Sequence, residues 1–352
     1  MKNINLKTKF ATICKNGGLF LLLLLLTFYM IFRDTEPGQI MVAVSQADIR
    51  YLLAAACAMG IFLLGEGINI GRCLQLFDRD RSVFCGVKYA VVGFFGSSVT
   101  PSASGGQPLQ LYFMYKDGVN LSHGTLALLF ELLSYQIVTV TMAVAGFFAV
   151  QGEITETMGN MRIFLLLGVG INAVAMIFLI CGIFCEHLAD KIVSLLVRFI
   201  KKYNNEKGLQ LETSLRTALL EYQRSAVYLK KNKTIFLKTI ATTAVQMIAM
   251  YSIPYWIYLS LGLSGYSAFH VILLQAVLFG SVSALPLPGA MGVSEGAFSV
   301  LFRTLFTGGL LPGAMILSRT MSFYLPLAVS GICTVIFLLR RQKGRIAARC
   351  TI

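Results

Sequence analysis

Long apolar runs alternate with short polar segments along most of the chain. A helix needs about 20 apolar residues to cross a bilayer, and several runs approach or exceed that length. The predicted spanning helices lie near residues 17–33, 50–70, 124–150, 162–184, 235–261 and 312–339. We therefore expect an all-α integral membrane protein, with residues 1–352 forming a single polytopic domain.

Two further apolar regions, 82–115 and 268–307, are each interrupted in the middle by Pro and Gly, in the stretches TPSASGGQP and LPLPGAMG. In the first region only Leu109 to Tyr115 is available to return, which is too short for a second crossing. We predict that both regions are re-entrant helical hairpins. The predicted structural breaks are Pro101, Gly105, Gly106, Pro108, Pro286, Pro288, Gly289 and Gly292.

The distribution of Lys and Arg predicts the orientation, because cytoplasmic segments carry an excess of both. Four lysines precede the first helix, segment 186–238 has eleven Lys or Arg, and the tail from Arg340 has five. Segment 151–161 has two glutamates and no Lys or Arg, as expected outside. These segments alternate between the cytoplasmic side and the outside only if each hairpin returns to the side from which it enters. The two hairpins then lie on opposite faces of the membrane. Both termini are then cytoplasmic.

Interrupted hydrophobic segments at corresponding places in two halves are typical of inverted-repeat transporters. We expect a first half over 1–184 and a second half over 235–345. Between them, 186–233 shows helical spacing of apolar residues with Lys and Arg on the polar faces, which predicts two amphipathic linker helices at the cytoplasmic side. Irregular backbone at membrane depth must be buried in protein or line a wet cavity, so the hairpin tips predict a polar cavity.

Four ionisable residues lie inside apolar runs, where charges are costly and mark candidate functional sites. Glu66 is near the end of its helix, and we expect it to reach the interface. Glu131 has two open roles, a structural ion pair or a part in transport. Glu295 falls in the first turn of a returning half-helix, where free N–H groups favour a carboxylate. Arg319 needs an anionic partner, either Glu295 or a lipid phosphate.

Composition excludes an ordinary soluble protein, since 56% of the residues are hydrophobic and 13% are charged. The net charge of +14 is explained by basic cytoplasmic segments and by attraction to anionic lipid, so we expect no nucleic-acid partner. The common motifs for nucleotide, zinc or nucleophilic chemistry are absent from the sequence. We therefore expect no catalytic residues, no metal and no cofactor.

The stretches TPSASGGQPLQLYFMYKDGVNLSHGTLALLFELL, LPLPGAMGVSEGAFSVLF and SRTMSFYLPLAVSG together resemble the transmembrane flippase-type domain of lysylphosphatidylglycerol synthases, the multiple peptide resistance factors. In the second and third stretches the matching positions are Pro286, Pro288, Gly289, Gly292, Glu295, Arg319, Tyr324 and Pro326. The chain departs from the family pattern at Gln110 and Leu132, where many relatives have Arg, and at Ala290, where they have Gly.

The resemblance implies a membrane lipid translocase in the plasma membrane of a prokaryote, acting on anionic or aminoacylated phospholipid. The chain ends 13 residues after Leu339, so we expect neither the soluble lysyltransferase domain of fused relatives nor intrinsic transferase activity. The candidate cavity residues are Ser102, Ser104, Gln107, Gln110, Glu131, Glu295, Arg319 and Tyr324.

Two alternatives remain open. One is a secondary transporter of a small polar solute. The other is a membrane subunit that acts with a separate synthase in a phosphatidylglycerol lysyltransferase system, in which lipid modification gives resistance to cationic peptides.

Overall fold

A computed structural model describes residues 45–78, 82–100, 103–150, 161–184, 232–283, 292–307 and 309–349, with three single positions between 191 and 198. Every regular element in this part of the chain is a helix. The predicted helix at 17–33 and most of the predicted linker at 186–233 lie outside the described residues. So do Pro101, Ser102, Pro286, Pro288 and Gly289.

The helices are named here in chain order. They are α1 (Ile49–Gln75), α2 (Cys85–Ser98), α3 (Gly106–Lys116), α4 (Leu121–Ala149), α5 (Met161–Phe184), α6 (Lys233–Tyr251), α7 (Ile253–Ser260), α8 (Ala268–Val282), α9 (Val293–Leu301), α10 (Leu311–Arg319) and α11 (Leu325–Arg349), with a π-helical turn (Thr320–Tyr324) between α10 and α11.

Four helical stretches in the described residues are long and apolar enough to cross a bilayer. They are α1, α4, α6 with α7 over 233–260, and α10 with α11 over 311–339. These stretches confirm the helices predicted near 50–70, 124–150, 235–261 and 312–339. Helix α5, with 24 residues, occupies the place of the span predicted at 162–184.

The starts of three helices carry side-chain caps of the usual residue types. The carboxylate of Asp48 accepts a hydrogen bond from Arg50 N (2.9 Å) at α1, and the Asn120 side chain accepts one from Ser122 N (3.2 Å) at α4. The hydroxyl of Ser267 does the same for His270 N (3.3 Å) at α8. These caps satisfy free N–H groups where each helix begins.

Small residues allow the central helices to approach closely, as is usual for helices in a bilayer. A Cβ atom at Gly280 of α8 would lie 2.5 Å from the Cβ of Ala143 on α4. One at Gly146 of α4 would lie 2.7 Å from the carbonyl oxygen of Leu273 on α8. Large side chains such as Phe148, Phe269 and Ile332 are exposed, as expected for helix faces in contact with lipid.

Helices α2 and α3 form a compact helical hairpin. Their 14 and 11 residues correspond to about 21 and 16 Å, less than the ~30 Å apolar thickness of a bilayer. The hydroxyl of Thr100 donates to Gly96 O (2.7 Å) and accepts from Gly105 N (2.8 Å). Thr100 thereby ties the end of α2 to the start of α3.

The break in this hairpin is narrower than the sequence predicts. Helix α3 begins at Gly106 instead of Leu109, so Gly106 and Pro108 lie in its first turn and Gly105 is its N-cap. A proline in a first turn costs little, because its missing N–H would have no partner inside the helix. A predicted helix breaker is therefore accommodated in the first turn of the helix.

Helices α8 and α9 flank the second predicted break, and the connection over 284–291 lies outside the described residues. Helix α8 has 15 residues and α9 has nine. Gly292, the N-cap of α9, has φ +82°. This left-handed conformation is readily available to glycine, and it turns the chain into α9.

Candidate functional site

A cavity of about 590 Å³ lies inside the helix assembly. Its wall includes residues of every helix from α1 to α10 and of the π-helical turn. The volume falls within the range of small-molecule pockets. Side chains from both predicted hairpins meet around one space.

The wall contains six of the eight candidate residues predicted from the sequence. These are Ser104, Gln107, Gln110, Glu131, Glu295 and Arg319. Tyr324 is half-buried and close enough to Glu295 and Arg319 for an electrostatic interaction, but Ser322 and Phe323 form that part of the wall. Ser102 lies outside the described residues.

Glu295 and Arg319 form a largely buried ion pair. Arg319 Nε donates to Glu295 Oε1 at 2.6 Å, and the side chains are 17% and 7% exposed for Arg319 and Glu295. Gly292 N donates to the second carboxylate oxygen, Oε2, also at 2.6 Å. The guanidinium lies 5.7 Å from the ring centre of Phe323, within reach of a cation–π interaction.

Local sequence explains why this pair forms. Glu295 is the third residue of α9, where a carboxylate can accept from the N-cap N–H and interacts favourably with the helix dipole. Arg319 lies where α10 passes into the π-helical turn, within the continuous helical stretch 311–339. The pair therefore joins the start of α9 to the interior of the helical stretch that follows it. Of the two partners predicted for Arg319, the structure shows the carboxylate.

A second polar contact joins α3 to α1 on another wall. Gln110 Nε2 donates to Glu66 Oε1 at 2.9 Å, and Gln110 is 4% exposed. A Cβ atom at Gly93 of α2 would overlap the Gln110 amide, so the glycine makes room for this contact. The expectation that Glu66 reaches the interface is wrong, because α3 supplies a buried partner and Glu66 lines the cavity.

Glu131 on α4 lines the same cavity and is 9% exposed. Within the described part of the chain, neither Glu66 nor Glu131 forms an ion pair with a Lys, Arg or His. Two roles were considered for Glu131, a structural ion pair and a part in transport. For the ion pair, the described residues offer no partner. This wall is rich in hydrogen-bond acceptors.

Several polar residues of the wall were missed by sequence reasoning. Asn172 Nδ2 on α5 donates to Gly280 O (2.7 Å) and to Ser283 Oγ (3.1 Å), which ties α5 to the end of α8. Gln136 Oε1, Gln275 Oε1 and Ser318 Oγ are buried, with no hydrogen-bond partner among the described residues. Buried polar atoms are normally satisfied by protein, water or ligand, so these atoms suit a polar occupant. In the sequence, the feature that could have identified them is the presence of Asn and Gln inside apolar spans.

Apolar spanning helices around a polar internal cavity define an integral membrane protein with a candidate binding site for a polar group. Residues 17–330 match the family described as lysylphosphatidylglycerol synthase TM region, and the chain belongs to this family. It is also similar to a UPF0104 membrane protein of Archaeoglobus fulgidus, at 22% identity over 276 residues, which cover 78% of this chain and 82% of that protein. These matches confirm the family resemblance read from the sequence.

Proposed function

We propose that this chain is a membrane lipid translocase that moves phospholipid, or aminoacylated phosphatidylglycerol, between the leaflets of a prokaryotic plasma membrane. The proposal rests on the polar cavity between the apolar helices. Its wall brings together Arg319 and, from the first hairpin, Ser104 and Gln107. A lipid must expose its polar head group to such an environment in order to cross the bilayer. Membership of the family supports the same function.

In this proposal the head group binds in the cavity while the acyl chains stay in the bilayer. The guanidinium of Arg319 is the group suited to a phosphate, because its planar donors match phosphate oxygens. Ser104 and Gln107 can donate further hydrogen bonds from the opposite hairpin. A bound phosphate would compete with Glu295 for Arg319, so head-group binding would loosen the contact between α9 and α10.

The topology proposed for this function has two re-entrant hairpins that enter from opposite faces, α2 with α3 and α8 with α9. The short arms of both hairpins support it, as does the distribution of Lys and Arg along the sequence. Both termini would be cytoplasmic. The halves 1–184 and 235–345 would then move against each other around a fixed site, as in inverted-repeat transporters.

Head-group translocation in liposomes tests the proposal. Purified chain is reconstituted with fluorescent phospholipids, and movement between leaflets is followed by chemical quenching of the outer leaflet. We expect Arg319→Ala to slow translocation by about tenfold or more, because hydrogen bonds to charged groups contribute about 1.5–3 kcal/mol.

The matched control is Arg303→Ala, which removes an exposed arginine outside the cavity wall and should leave the rate unchanged. Ser104→Ala with Gln107→Ala probes the other hairpin without touching the ion pair. If correctly folded Arg319→Ala protein moves lipids as fast as the unaltered chain, the assignment fails.

A secondary transporter of a small polar solute is a second candidate. The observation that favours it is the pair of cavity carboxyl groups, Glu66 and Glu131, which have no described ion-pair partner. This function requires solute-dependent flux of protons or sodium in the same liposomes, without movement of lipid between leaflets.

A separate synthase is a proposed partner, since the family is described as the membrane region of a synthase. Co-purification with an aminoacyl-transferring enzyme from a native membrane would support this partnership. Aminoacylated lipid formed in a host that expresses this chain alone would instead indicate intrinsic transferase activity.

A further inference from the structure

Helices α1 and α6 share a line of polar side chains that has no part in the proposed lipid site. We call this line the α1–α6 seam. Its members are Asn69, Arg72, Thr239, Thr242, Thr243 and Gln246. None of the six belongs to the cavity wall, although both helices are apolar enough to span the membrane.

Most of the Arg72 end of the seam is hydrogen-bonded. Arg72 Nη1 donates to Asn69 Oδ1 (3.2 Å), and both Nη atoms donate to Thr242 Oγ1 (3.1 Å). Asn69 Nδ2 donates to Thr243 Oγ1 (2.9 Å). Arg72 is one turn from the end of α1, and the exposed Asp78 follows shortly after. This end of the seam therefore lies near the protein surface.

Two buried positions of the seam, one at each end, have polar atoms without a hydrogen-bond partner among the described residues. Gln246, at the inner end, is 0% exposed, and neither its amide nitrogen nor its amide oxygen bonds to a described residue. Thr239, one turn before Thr243 on the Arg72 side, is equally buried, and its hydroxyl oxygen has no partner in the described part of the chain. Buried polar groups without protein partners are usually satisfied by internal water. In a spanning helix pair such water would lie at membrane depth.

The inner end of the seam lies against the acidic wall of the cavity. A Cβ atom at Gly65 would lie 2.7 Å from Gln246 Cβ, so Gln246 packs directly beside the backbone that carries Glu66. Glu66, Asn69 and Arg72 follow one another at three-residue intervals, which places them along one face of α1. The polar line thus continues from Arg72 to the carboxyl group of Glu66 and reaches the cavity.

We propose that the α1–α6 seam is a water-filled path that carries protons between the Arg72 end of the protein and the carboxyl groups of Glu66 and Glu131. A proton would enter through water bound at Thr239, near the Arg72 end, and water bound at Gln246 would pass it to a carboxylate. The carboxylate becomes a neutral carboxylic acid and releases the proton along the same path. Ionisable residues at membrane depth mark functional sites, and proton relays are one kind of such site. The inference does not depend on whether the substrate is a lipid.

The charged and titratable surroundings of the two carboxyl groups are compatible with this role. Arg72 and Cys73 lie on α1, Tyr135 on α4 and Tyr251 on α6, while α3 contributes only the neutral amide of Gln110 next to Glu66. Arg72 remains protonated and does not carry the proton. The positive charge of Arg72 repels free hydronium in the seam. Proton transfer through the seam therefore requires a carboxylate at its inner end, and this requirement limits proton leakage.

Infrared spectroscopy on protein in lipid nanodiscs tests the path. The buffer is changed from H₂O to D₂O, and the carbonyl stretch of protonated carboxylic acid is followed as the proton is exchanged for deuterium. Glu66→Gln and Glu131→Gln assign the bands. We expect Gln246→Leu to slow the exchange at least about tenfold, because it removes the groups that hold water in the seam.

The matched control is Val245→Leu, on the adjacent and exposed position of the same helix, which should exchange at the original rate. Thr239→Val is a second seam variant that keeps the side-chain shape, and the amide band of the same spectra reports whether each variant is folded. Exchange at the original rate in both seam variants would overturn the proposal. So would spectra in which neither Glu66→Gln nor Glu131→Gln removes a carboxylic acid band.

Discussion

Replacing Arg319 with Met leaves the carboxylate of Glu295 buried, with only the hydrogen bond from Gly292 N among its described contacts. Breaking a buried ion pair by removing one partner typically costs about 3–5 kcal/mol, because an uncompensated charge stays buried. Glu295 is 7% exposed and Arg319 17% exposed, so water relieves little of this penalty. We expect the free energy of unfolding to fall by about 3 kcal/mol or more.

The pair variant Glu295→Gln with Arg319→Met separates this explanation from a simple loss of packing. Glutamine can still accept the hydrogen bond from Gly292 N, and it carries no charge. Because no buried charge remains, we expect the double variant to be more stable than Arg319→Met alone. Two residues in contact typically show interaction energies of about 0.5–3 kcal/mol in such a cycle.

Equilibrium unfolding in detergent micelles, followed by the helical circular dichroism signal, measures all four proteins of the cycle. Arg303→Met serves as the control, since Arg303 is exposed and outside the cavity wall. Strictly additive effects of the two single variants would refute the reasoning. A double variant less stable than Arg319→Met would refute it equally.

Three further substitutions probe other contacts of the structure. Gln110→Leu removes the hydrogen-bond donor to Glu66 and should lower the free energy of unfolding by about 1–3 kcal/mol, measured in the same unfolding assay. Asn172→Leu removes the amide that ties α5 to α8 and should cost a similar ~1–3 kcal/mol, seen also as faster amide hydrogen exchange in α5. Lys88→Met breaks the ion pair with Asp117, but both side chains are about a quarter to a third exposed, so the loss should stay below about 1 kcal/mol and shrink further in high salt.

The helical class and four of the spans could be predicted from the sequence because bilayer physics fixes both helix type and length. The boundaries of the first hairpin could not. Pro108 and Gly106 favour a break when they are considered singly, yet both are accepted in the first turn of α3 because that turn has free N–H groups. The side chain of Thr100, which ties the end of α2 to the start of α3, gives no recognisable signal in the sequence.

The ion pair of the cavity was partly predictable, since a buried arginine in a membrane span requires an anionic partner and Glu295 was one of two candidates. The contact between Gln110 and Glu66 was not predictable. Its formation depends on Gly93, which lets α3 approach α2 closely enough for the amide to reach α1. Side chains such as Gln246 also became informative only when their packing showed polar atoms without partners among the described residues.

The structure of the chain in lipid nanodiscs, determined by electron cryomicroscopy, tests the central claim most directly. The account predicts density for a phospholipid head group inside the cavity, with its phosphate beside Arg319 and its acyl chains leaving between helices toward the bilayer. A tail-less solute in the cavity, or lipid bound only on the outer surface with the cavity filled by water, would contradict it.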